Sequence, residues 1–213
     1  MTIISVCLCT KIHILPTPVC LNLRGREPSS ALVELPPSIE QVDEITMLGV
    51  VINNRMTATD HVASLLRSCT KLLYALRVLR SHGLPQQSLK DVFRATIESK
   101  IQYAAPAWSG LCTAGDCFQL NAFLRRCMKL CYRERKAPSI EEIFAMSDDQ
   151  LFSKINSNSL HILQQFMPDH PSLNYSLQAR PHNKTLIAKT TQLNDQDFII
   201  RSIYKNAYWL YLI

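Results

Sequence analysis

Residues 59–83, TDHVASLLRSCTKLLYALRVLRSHG, decide the fold class of this chain. Apolar residues return every three or four positions along the stretch, which is the spacing of one helix face. They are Val62, Leu65, Leu66, Cys69, Leu72, Leu73, Leu76 and Leu79. Thr59 or Asp60 can cap the N-terminus, and His82-Gly83 is a typical helix end. The stretch predicts a long amphipathic helix that packs one face against a core.

Two more helices are predicted directly after it. Pro85 opens the second, whose apolar positions are Leu89, Val92, Phe93, Ile97 and Ile101. Because proline lacks a backbone donor and clashes with the preceding turn, we expect a distortion near Pro106. The third helix should run from about Asp116 to Tyr132 on the apolar residues Leu120, Phe123, Leu124, Cys127 and Cys131.

The last third of the chain contains shorter predicted helices. Ser139 and Glu142 have the spacing of a capping box, so a helix should begin there. Ser147-Asp148-Asp149 predicts the cap of another short helix. We expect an extended chain from 168 to 184 and a final helix after Asp195.

On the N-terminal side, the short β-branched stretch Ile45–Ile52 precedes Asn53-Asn54 and predicts a strand that ends in a turn. The fold class is therefore mainly α, a helical bundle preceded by a short β-strand or hairpin. The predicted organisation is an irregular arm and linker over 1–44, strand and turn over 45–56, a helical module over 57–167, and an extended tail with a short terminal helix over 168–213.

The composition fits a globular protein and excludes two nucleotide-binding folds. The chain has 213 residues, of which 47% are hydrophobic and 19% charged. It has only five glycines, and none of them stand in a G-x-G-x-x-G or G-x-x-x-x-G-K spacing. A dinucleotide-binding fold and a P-loop are therefore excluded.

Positive charge is concentrated in the middle of the chain. The net charge is +6, but residues 60–136 hold thirteen Lys or Arg against five Asp or Glu. A basic middle with a mildly acidic remainder favours a polyanionic partner such as nucleic acid. The alternative is a solvated basic face that only keeps the protein soluble.

Eight cysteines spread along the chain favour reduced thiols and an intracellular protein over a disulfide scaffold. Cys112-x4-Cys117 followed by Cys127-x3-Cys131 is the grouping that could bind zinc. The tight C-x2-C spacing is absent and no histidine lies at ligand spacing, so we expect no metal site. Cys127 and Cys131 are better interpreted as buried apolar residues of the third helix, with zinc binding as the alternative.

The sequence offers little that points to catalysis. The adjacent Asp148 and Asp149 could hold the metal ions of nucleotidyl transfer. They follow Met146-Ser147 between two predicted helical segments, where acidic residues suit a helix N-terminus, so we interpret them as caps. The six histidines form no i, i+4 pair and there is no G-x-S-x-G motif, although a Cys–His pair could still meet in the fold.

The residues that do indicate a function are cations on the first and third predicted helices. Long basic side chains can contact successive phosphates and release counterions. The predicted nucleic-acid-binding residues are Arg67, Lys71, Arg77, Arg80, Arg125, Arg126, Lys129, Arg133, Arg135 and Lys136. Some of the second group could instead complement the dipole at a helix C-terminus. Tyr103 and Trp108 could stack on bases, but we interpret them as core aromatics beside Pro106.

The order of these segments resembles a known family. The motifs are Leu48-Gly49-Val50, Asp60-His61-Val62, residues 71–80 (KLLYALRVLR), Gly83-Leu84-Pro85, residues 92–100 (VFRATIESK), residues 103–108 (YAAPAW), residues 123–126 (FLRR) and residues 175–183 (YSLQARPHN). Together they resemble the region downstream of the catalytic palm in reverse transcriptases of non-LTR (LINE-type) retrotransposons, over residues 35–208. In that family the helices after the Leu-Gly-Val strand form the thumb, which holds the template–primer duplex.

The resemblance has implications for function. The intact family enzyme is an RNA-directed DNA polymerase that uses Mg²⁺. Its aromatic-Ala-Asp-Asp turn lies upstream of the Leu-Gly-Val strand and has no counterpart in this chain. We therefore expect a non-catalytic fragment without a cofactor, which binds RNA or an RNA–DNA duplex weakly and without sequence preference, and no membrane association. The alternative is a helical protein–protein interaction module that also associates with itself through exposed apolar faces.

Overall fold

The computed structural model describes residues 19–21, 40–169, 184–189 and 192–205. These residues are mainly helical, which confirms the predicted fold class. The strands are β1 Val19–Leu21, β2 Glu40–Val42, β3 Glu44–Met47 and β4 Val50–Asn53. The helices are α1 Thr59–Ser81, α2 Gln86–Phe93, α3 Ser99–Gln102, α4 Ala105–Trp108, α5 Ala114–Lys129, α6 Ile140–Ser157, α7 Gln192–Gln196 and α8 Phe198–Lys205.

The β-structure consists of two small pairs of strands. β1 and β2 pair in parallel, within the arm that we expected to be irregular, and the rest of residues 1–39 lies outside the described residues. β3 and β4 form an antiparallel hairpin with Ile45 opposite Ile52. The prediction of one strand over Ile45–Ile52 is therefore wrong, because the chain reverses at Leu48 and Gly49, whose φ angles are 49° and 81°. Positive φ at both central residues is the geometry of a tight hairpin turn.

Helix α1 forms as the apolar spacing predicts, but its start differs. Ala58 occupies the cap position without a side-chain hydrogen bond, so neither Thr59 nor Asp60 caps the helix. The C-terminal end is as expected. Gly83 has a φ of 84°, its N–H donates to Arg80 O, and the N–H of Leu84 donates to Leu79 O. These two bonds satisfy carbonyls that a helix end otherwise leaves unpaired.

The second predicted helix is divided into three pieces. α2 passes into a π-helical turn, Arg94–Glu98, and then into α3. The distortion near Pro106 is a full break, in which Ala104 has a φ of 50° and α4 starts at Ala105. Pro106 lies in the first turn of α4, where its missing donor costs no hydrogen bond.

Helices α5 and α6 both begin with capping boxes. Thr113 and Asp116 form one that the sequence analysis missed, whereas the predicted box of Ser139 and Glu142 is confirmed. α5 ends at Lys129, before the expected Tyr132, and Cys131 beyond it has a φ of 63°. α6 continues through residues 147–149, so the predicted second cap there is wrong.

The main core lies between the hairpin, α1, the α2–α4 segment, α5 and α6. Trp108 is fully buried at its centre and meets His61 and Phe144 edge-on, with ring centroids 4.8 Å and 5.1 Å away. His61 also joins the hairpin to α1, because its Nδ1 accepts a hydrogen bond from Val51 N at 3.3 Å. These contacts fix the position of the hairpin relative to the helical body.

The C-terminal part packs back on α6 through a second, smaller core. Its buried members are Phe152, Ile155, Met167 and Ile203. The predicted terminal helix corresponds to α8, whereas most of the predicted extended stretch over 168–184 lies outside the described residues. In the part of the chain that the structure describes, no helix combines the length and the apolar character needed to cross a membrane.

Candidate nucleic-acid interface

The outer face of α1 carries cations around an exposed aromatic ring. Arg67, Lys71 and Tyr74 recur at helical spacing and are all exposed, Tyr74 to 69%. The opposite face contributes Leu65, Cys69, Leu73 and Leu76 to the core. Burial of that face thus orients Arg67 and Lys71 toward solvent.

Arg77 and Arg80 lie at the C-terminal end of α1. Both are exposed, but Arg80 is also held by the protein. Its Nη2 donates to Leu130 O at 2.6 Å, and its guanidinium lies 4.3 Å from the centre of the Tyr132 ring. Arg80 therefore has a fixed position, whereas Arg77 makes no ion pair with any described residue.

The outer face of α5 repeats this arrangement. Phe118, Arg125 and Lys129 recur at helical spacing and are exposed, Phe118 to 67%. The Arg125 guanidinium lies 5.7 Å from the centre of the Phe118 ring. Arg126 is exposed beside them. The buried side of α5, with Leu120 and Leu124, turns these cations outward.

Contacts at both ends hold α1 and α5 side by side. The Thr59 hydroxyl donates to Asp116 Oδ2 at 3.1 Å near the two N-termini. Arg80 reaches Leu130 O just beyond the C-terminus of α5. The helices therefore run side by side in the same direction. We call their outer faces the α1–α5 surface and define it by Arg67, Lys71, Arg77, Arg80, Arg125, Arg126 and Lys129.

The α1–α5 surface is uniformly positive. Residues 61–81 contain four Arg or Lys and residues 117–129 contain three, and neither range contains an Asp or Glu. Six cations elsewhere in the described residues pair with carboxylates, namely Lys90, Arg94, Arg133, Lys189, Arg201 and Lys205. None of the seven cations of this surface pairs with a carboxylate of the described residues, so a polyanion can approach their charge.

Arg133 is the exception among the predicted binding residues. It is only 6% exposed, and its Nε donates to Glu98 Oε1 at 2.8 Å. Its Nη2 donates to Pro138 O. Arg133 therefore stabilises the loop after α5 and is unavailable to phosphates in this structure. Its neighbours Arg135 and Lys136 are exposed.

The two candidate stacking aromatics both have structural contacts. Trp108 is buried, as expected for a core residue, and its Nε1 donates to Tyr103 O at 3.0 Å. Tyr103 is instead 56% exposed, and its hydroxyl donates to Leu48 O in the hairpin turn. Tyr103 thus braces the hairpin against the helices rather than filling the core.

The cysteines do not assemble a metal site among the described residues, where no group of three His, Cys, Asp or Glu side chains is close enough to hold an ion. Burial raises the pKa of Cys127 to about 12 and that of Cys69 to about 11. Cys112 and Cys117 are neighbours, and burial also raises the pKa of Cys112 to about 12. Cys131 is exposed, contrary to its interpretation as a buried residue of the third helix. Thiols with raised pKa values remain protonated at neutral pH and are poor nucleophiles and metal ligands.

Asp148 and Asp149 are engaged in ion pairs with α8. Asp148 receives both Nε and Nη2 of Arg201, at 2.9 Å and 3.0 Å. Asp149 is 2.8 Å from Lys205 Nζ. Their role in this structure is to dock the C-terminal helix. The sequence does not reveal this role, because the partners lie more than fifty residues away.

Comparison with known proteins returns no match, whether with family models, curated proteins or solved structures. The resemblance to retrotransposon reverse transcriptases therefore stays a prediction from the sequence motifs.

Proposed function

We propose that the α1–α5 surface binds the phosphate backbones of double-stranded nucleic acid. The duplex that it binds naturally is an RNA–DNA hybrid. The observation that carries this proposal is the concentration of seven cations on two adjacent helices that lack acidic residues over the same ranges. Such a surface recognises backbone charge without reading base sequence. Binding should therefore be salt-dependent and sequence-independent.

The dimensions of the surface suit a duplex. Arg67 and Arg77 are ten residues apart on α1, which is about 15 Å along the helix axis. A DNA duplex of that length carries about nine phosphate charges. The surface can thus meet several phosphates at once, and Arg80, held by Leu130 O, needs little ordering to contribute.

The family resemblance gives this binding a context. We propose that the chain corresponds to the thumb-like region of a non-LTR retrotransposon reverse transcriptase and has no polymerase activity of its own. The order of elements supports this, since a hairpin with Leu48-Gly49-Val50 at its turn directly precedes the basic helix α1. Asp148 and Asp149, the adjacent carboxylates, are each bonded to a cation of α8.

Two triple variants test the proposal. Arg125→Ala, Arg126→Ala and Lys129→Ala remove three charges from the α1–α5 surface. Arg55→Ala, Lys100→Ala and Lys154→Ala remove three exposed charges elsewhere and serve as the matched control. Affinity for a fluorescent RNA–DNA duplex with hydroxyl ends is measured by anisotropy between about 50 and about 200 mM salt.

The expected result is a steep salt dependence for the wild-type chain and the control. The surface variant should bind more weakly, and the slope of log K against log salt should fall by about one for each phosphate that is no longer neutralised. Equal losses in both variants would indicate only a general effect of net charge. Salt-independent binding would contradict the electrostatic mechanism.

An exposed apolar segment supports a second candidate function, a protein-interaction module. Leu160, Ile162 and Phe166 are exposed to 91%, 75% and 60% and lie within seven residues of each other. Apolar side chains grouped in this way favour association with a protein surface. Light scattering at low and high salt tests self-association. A dimer that persists in high salt and is lost in Ile162→Asp would support this function, and a monomer throughout would contradict self-association.

A further inference from the structure

Tyr74 is an exposed aromatic residue in the middle of the cations of α1. Its side chain is 69% exposed. Lys71 and Arg77 lie one turn before it and one turn after it, and Arg67 lies two turns before it. No Asp or Glu occurs between residues 61 and 81. A ligand that contacts the Tyr74 ring is therefore close to three cations and to no carboxylate of α1 within that range.

The Tyr74 ring takes part in no ring–ring or cation–ring contact within the part of the chain that the structure describes. The other exposed rings of the described residues differ from it. The Tyr103 hydroxyl is bonded to the hairpin turn, and Phe118 has the Arg125 guanidinium 5.7 Å from its ring centre. Phe166 has no Lys or Arg within five residues along the chain. Among these rings, Tyr74 is the one that combines an uncontacted ring with cations on both sides.

A ring between two cations suits an unpaired nucleic-acid base. Every base has a flat π-face that can stack on an aromatic side chain, and Lys or Arg beside the ring can contact the backbone on either side of that base. Inside a duplex the faces of each base are covered by the neighbouring base pairs, so a protein ring cannot stack there. A single exposed tyrosine is ordinary on a protein surface. The position of Tyr74 between Lys71 and Arg77 is what indicates a ligand.

We propose that Tyr74 stacks on an unpaired base, so that the preferred ligand of the α1–α5 surface is a duplex with a single-stranded extension. Lys71 and Arg77 contact the phosphates on either side of that base, and the other cations of the surface contact the backbone of the duplex. This inference rests on the proposed function, because the cations bring the nucleic acid to α1. It adds a preference for ligands that contain unpaired bases.

The geometry of α1 fits this arrangement. Lys71 and Arg77 are six residues apart, which is about 9 Å along the helix axis, and Tyr74 lies midway between them. Leu73 and Leu76 anchor the same turn of α1 in the core. The backbone that carries Tyr74 is therefore in place before the nucleic acid arrives, and binding has only side chains to order.

Fluorescence anisotropy with two ligands tests the proposal on the full chain. One ligand is a blunt RNA–DNA duplex with hydroxyl ends, and the other is a shorter duplex with a single-stranded extension and the same number of phosphates. The wild-type chain should bind the extended ligand more tightly. Tyr74→Ala should weaken binding of the extended ligand about tenfold, as expected for the loss of one base–aromatic stack, and leave the blunt duplex unchanged. The slope of log K against log salt should stay that of the wild type, because no phosphate contact is removed.

Three further variants separate stacking from other effects. Tyr74→Phe keeps the ring and should bind the extended ligand as the wild type does, whereas Tyr74→Leu keeps apolar bulk without a ring and should behave as Tyr74→Ala. Met146→Ala shortens an exposed apolar side chain on α6 and should leave both affinities unchanged. Because Tyr74 is exposed, its variants should keep the melting temperature of the wild type. Wild-type affinity in Tyr74→Leu would overturn stacking.

A fluorescent base gives a direct readout of the stack. 2-Aminopurine at the first unpaired position loses fluorescence when an aromatic ring stacks on it. The loss should occur on binding to the wild type and to Tyr74→Phe, and it should be absent with Tyr74→Ala. Equal quenching by all three chains would overturn the role of Tyr74.

The outcomes distinguish this inference from the proposed function. Salt-dependent binding of both ligands, with Tyr74→Ala equal to the wild type, would overturn stacking and leave the proposed function standing. Equal losses for both ligands in Tyr74→Ala would overturn the preference for unpaired bases. Absence of binding to the blunt duplex would contradict the proposed function, and absence of binding to both ligands would overturn the inference as well.

Discussion

Replacement of Arg133 by methionine should destabilise the fold without weakening nucleic-acid binding directly. Methionine keeps most of the length and apolar volume of the arginine stem but removes its charge and its donors. Arg133 is 6% exposed and donates to Glu98 Oε1 and to Pro138 O. The substitution leaves a carboxylate that is only 20% exposed without its partner, together with an unpaired carbonyl.

The size of the effect follows from these interactions. Removal of one partner from a fully buried ion pair costs about 3–5 kcal/mol. Because Glu98 retains some exposure to water, the low end applies, and we expect a loss of about 3 kcal/mol. In a chain of this length each kcal/mol shifts the melting temperature by about 2–4 °C, so the expected drop is roughly 6–12 °C. Arg135→Met, which removes an exposed cation two residues away, should change stability by less than about 0.5 kcal/mol.

Denaturation followed by circular dichroism measures the loss, and a second substitution tests its cause. Glu98→Gln added to Arg133→Met removes the unpaired charge and should recover at least about 1 kcal/mol. Duplex affinity of the folded Arg133→Met chain should be close to that of the wild type. Unchanged stability combined with a tenfold loss of duplex affinity would refute the structural role of Arg133. It would indicate that Arg133 binds the duplex directly.

Three further predictions concern local features of the fold. Gly49→Ala should cost roughly 1–2 kcal/mol, because its φ of 81° strains any residue with a Cβ, and urea denaturation measures this. His61 has a pKa below its ordinary value because it is buried. The unfolded chain therefore binds the proton more readily, so stability should fall as the pH drops below about 6.5. His61→Asn retains an acceptor for Val51 N, and its melting temperature should depend less on pH; an identical pH profile would contradict the role of His61. Ser139→Ala removes the cap of α6 and should cost about 1 kcal/mol, whereas Ser157→Ala at the other end should cost less.

The helices could be predicted because their periodicity is local. The spacing of Leu65, Cys69, Leu73 and Leu76 fixes which face of α1 is buried, whatever it packs against. The hairpin was harder, because Leu48 adopts a positive φ that leucine rarely takes. The apolar run from Ile45 to Ile52 therefore predicts one strand. In the structure Leu48 and Gly49 form a two-residue turn that divides it into two strands.

The exposure of the candidate binding residues could be predicted for some of them and not for others, for an equally physical reason. Helical spacing on α1 and α5 predicts which cations are exposed. In the structure Arg67, Lys71, Arg125 and Lys129 are exposed. Arg133 lies just beyond α5, where helical spacing no longer applies and a distant carboxylate decides its orientation.

The docking of α8 has a consequence for the order of folding. Arg201 bonds to Asp148, Ser109 and Pro106, which precede it by 53, 92 and 95 residues. On a growing polypeptide α1–α6 therefore emerge well before the helix that neutralises their acidic pair. The larger core can consolidate first, because domains of this kind can begin to fold during synthesis. Asp148 and Asp149 lack their cation partners until Arg201 and Lys205 have been synthesised, so α6 carries an unpaired acidic pair up to the docking of α8.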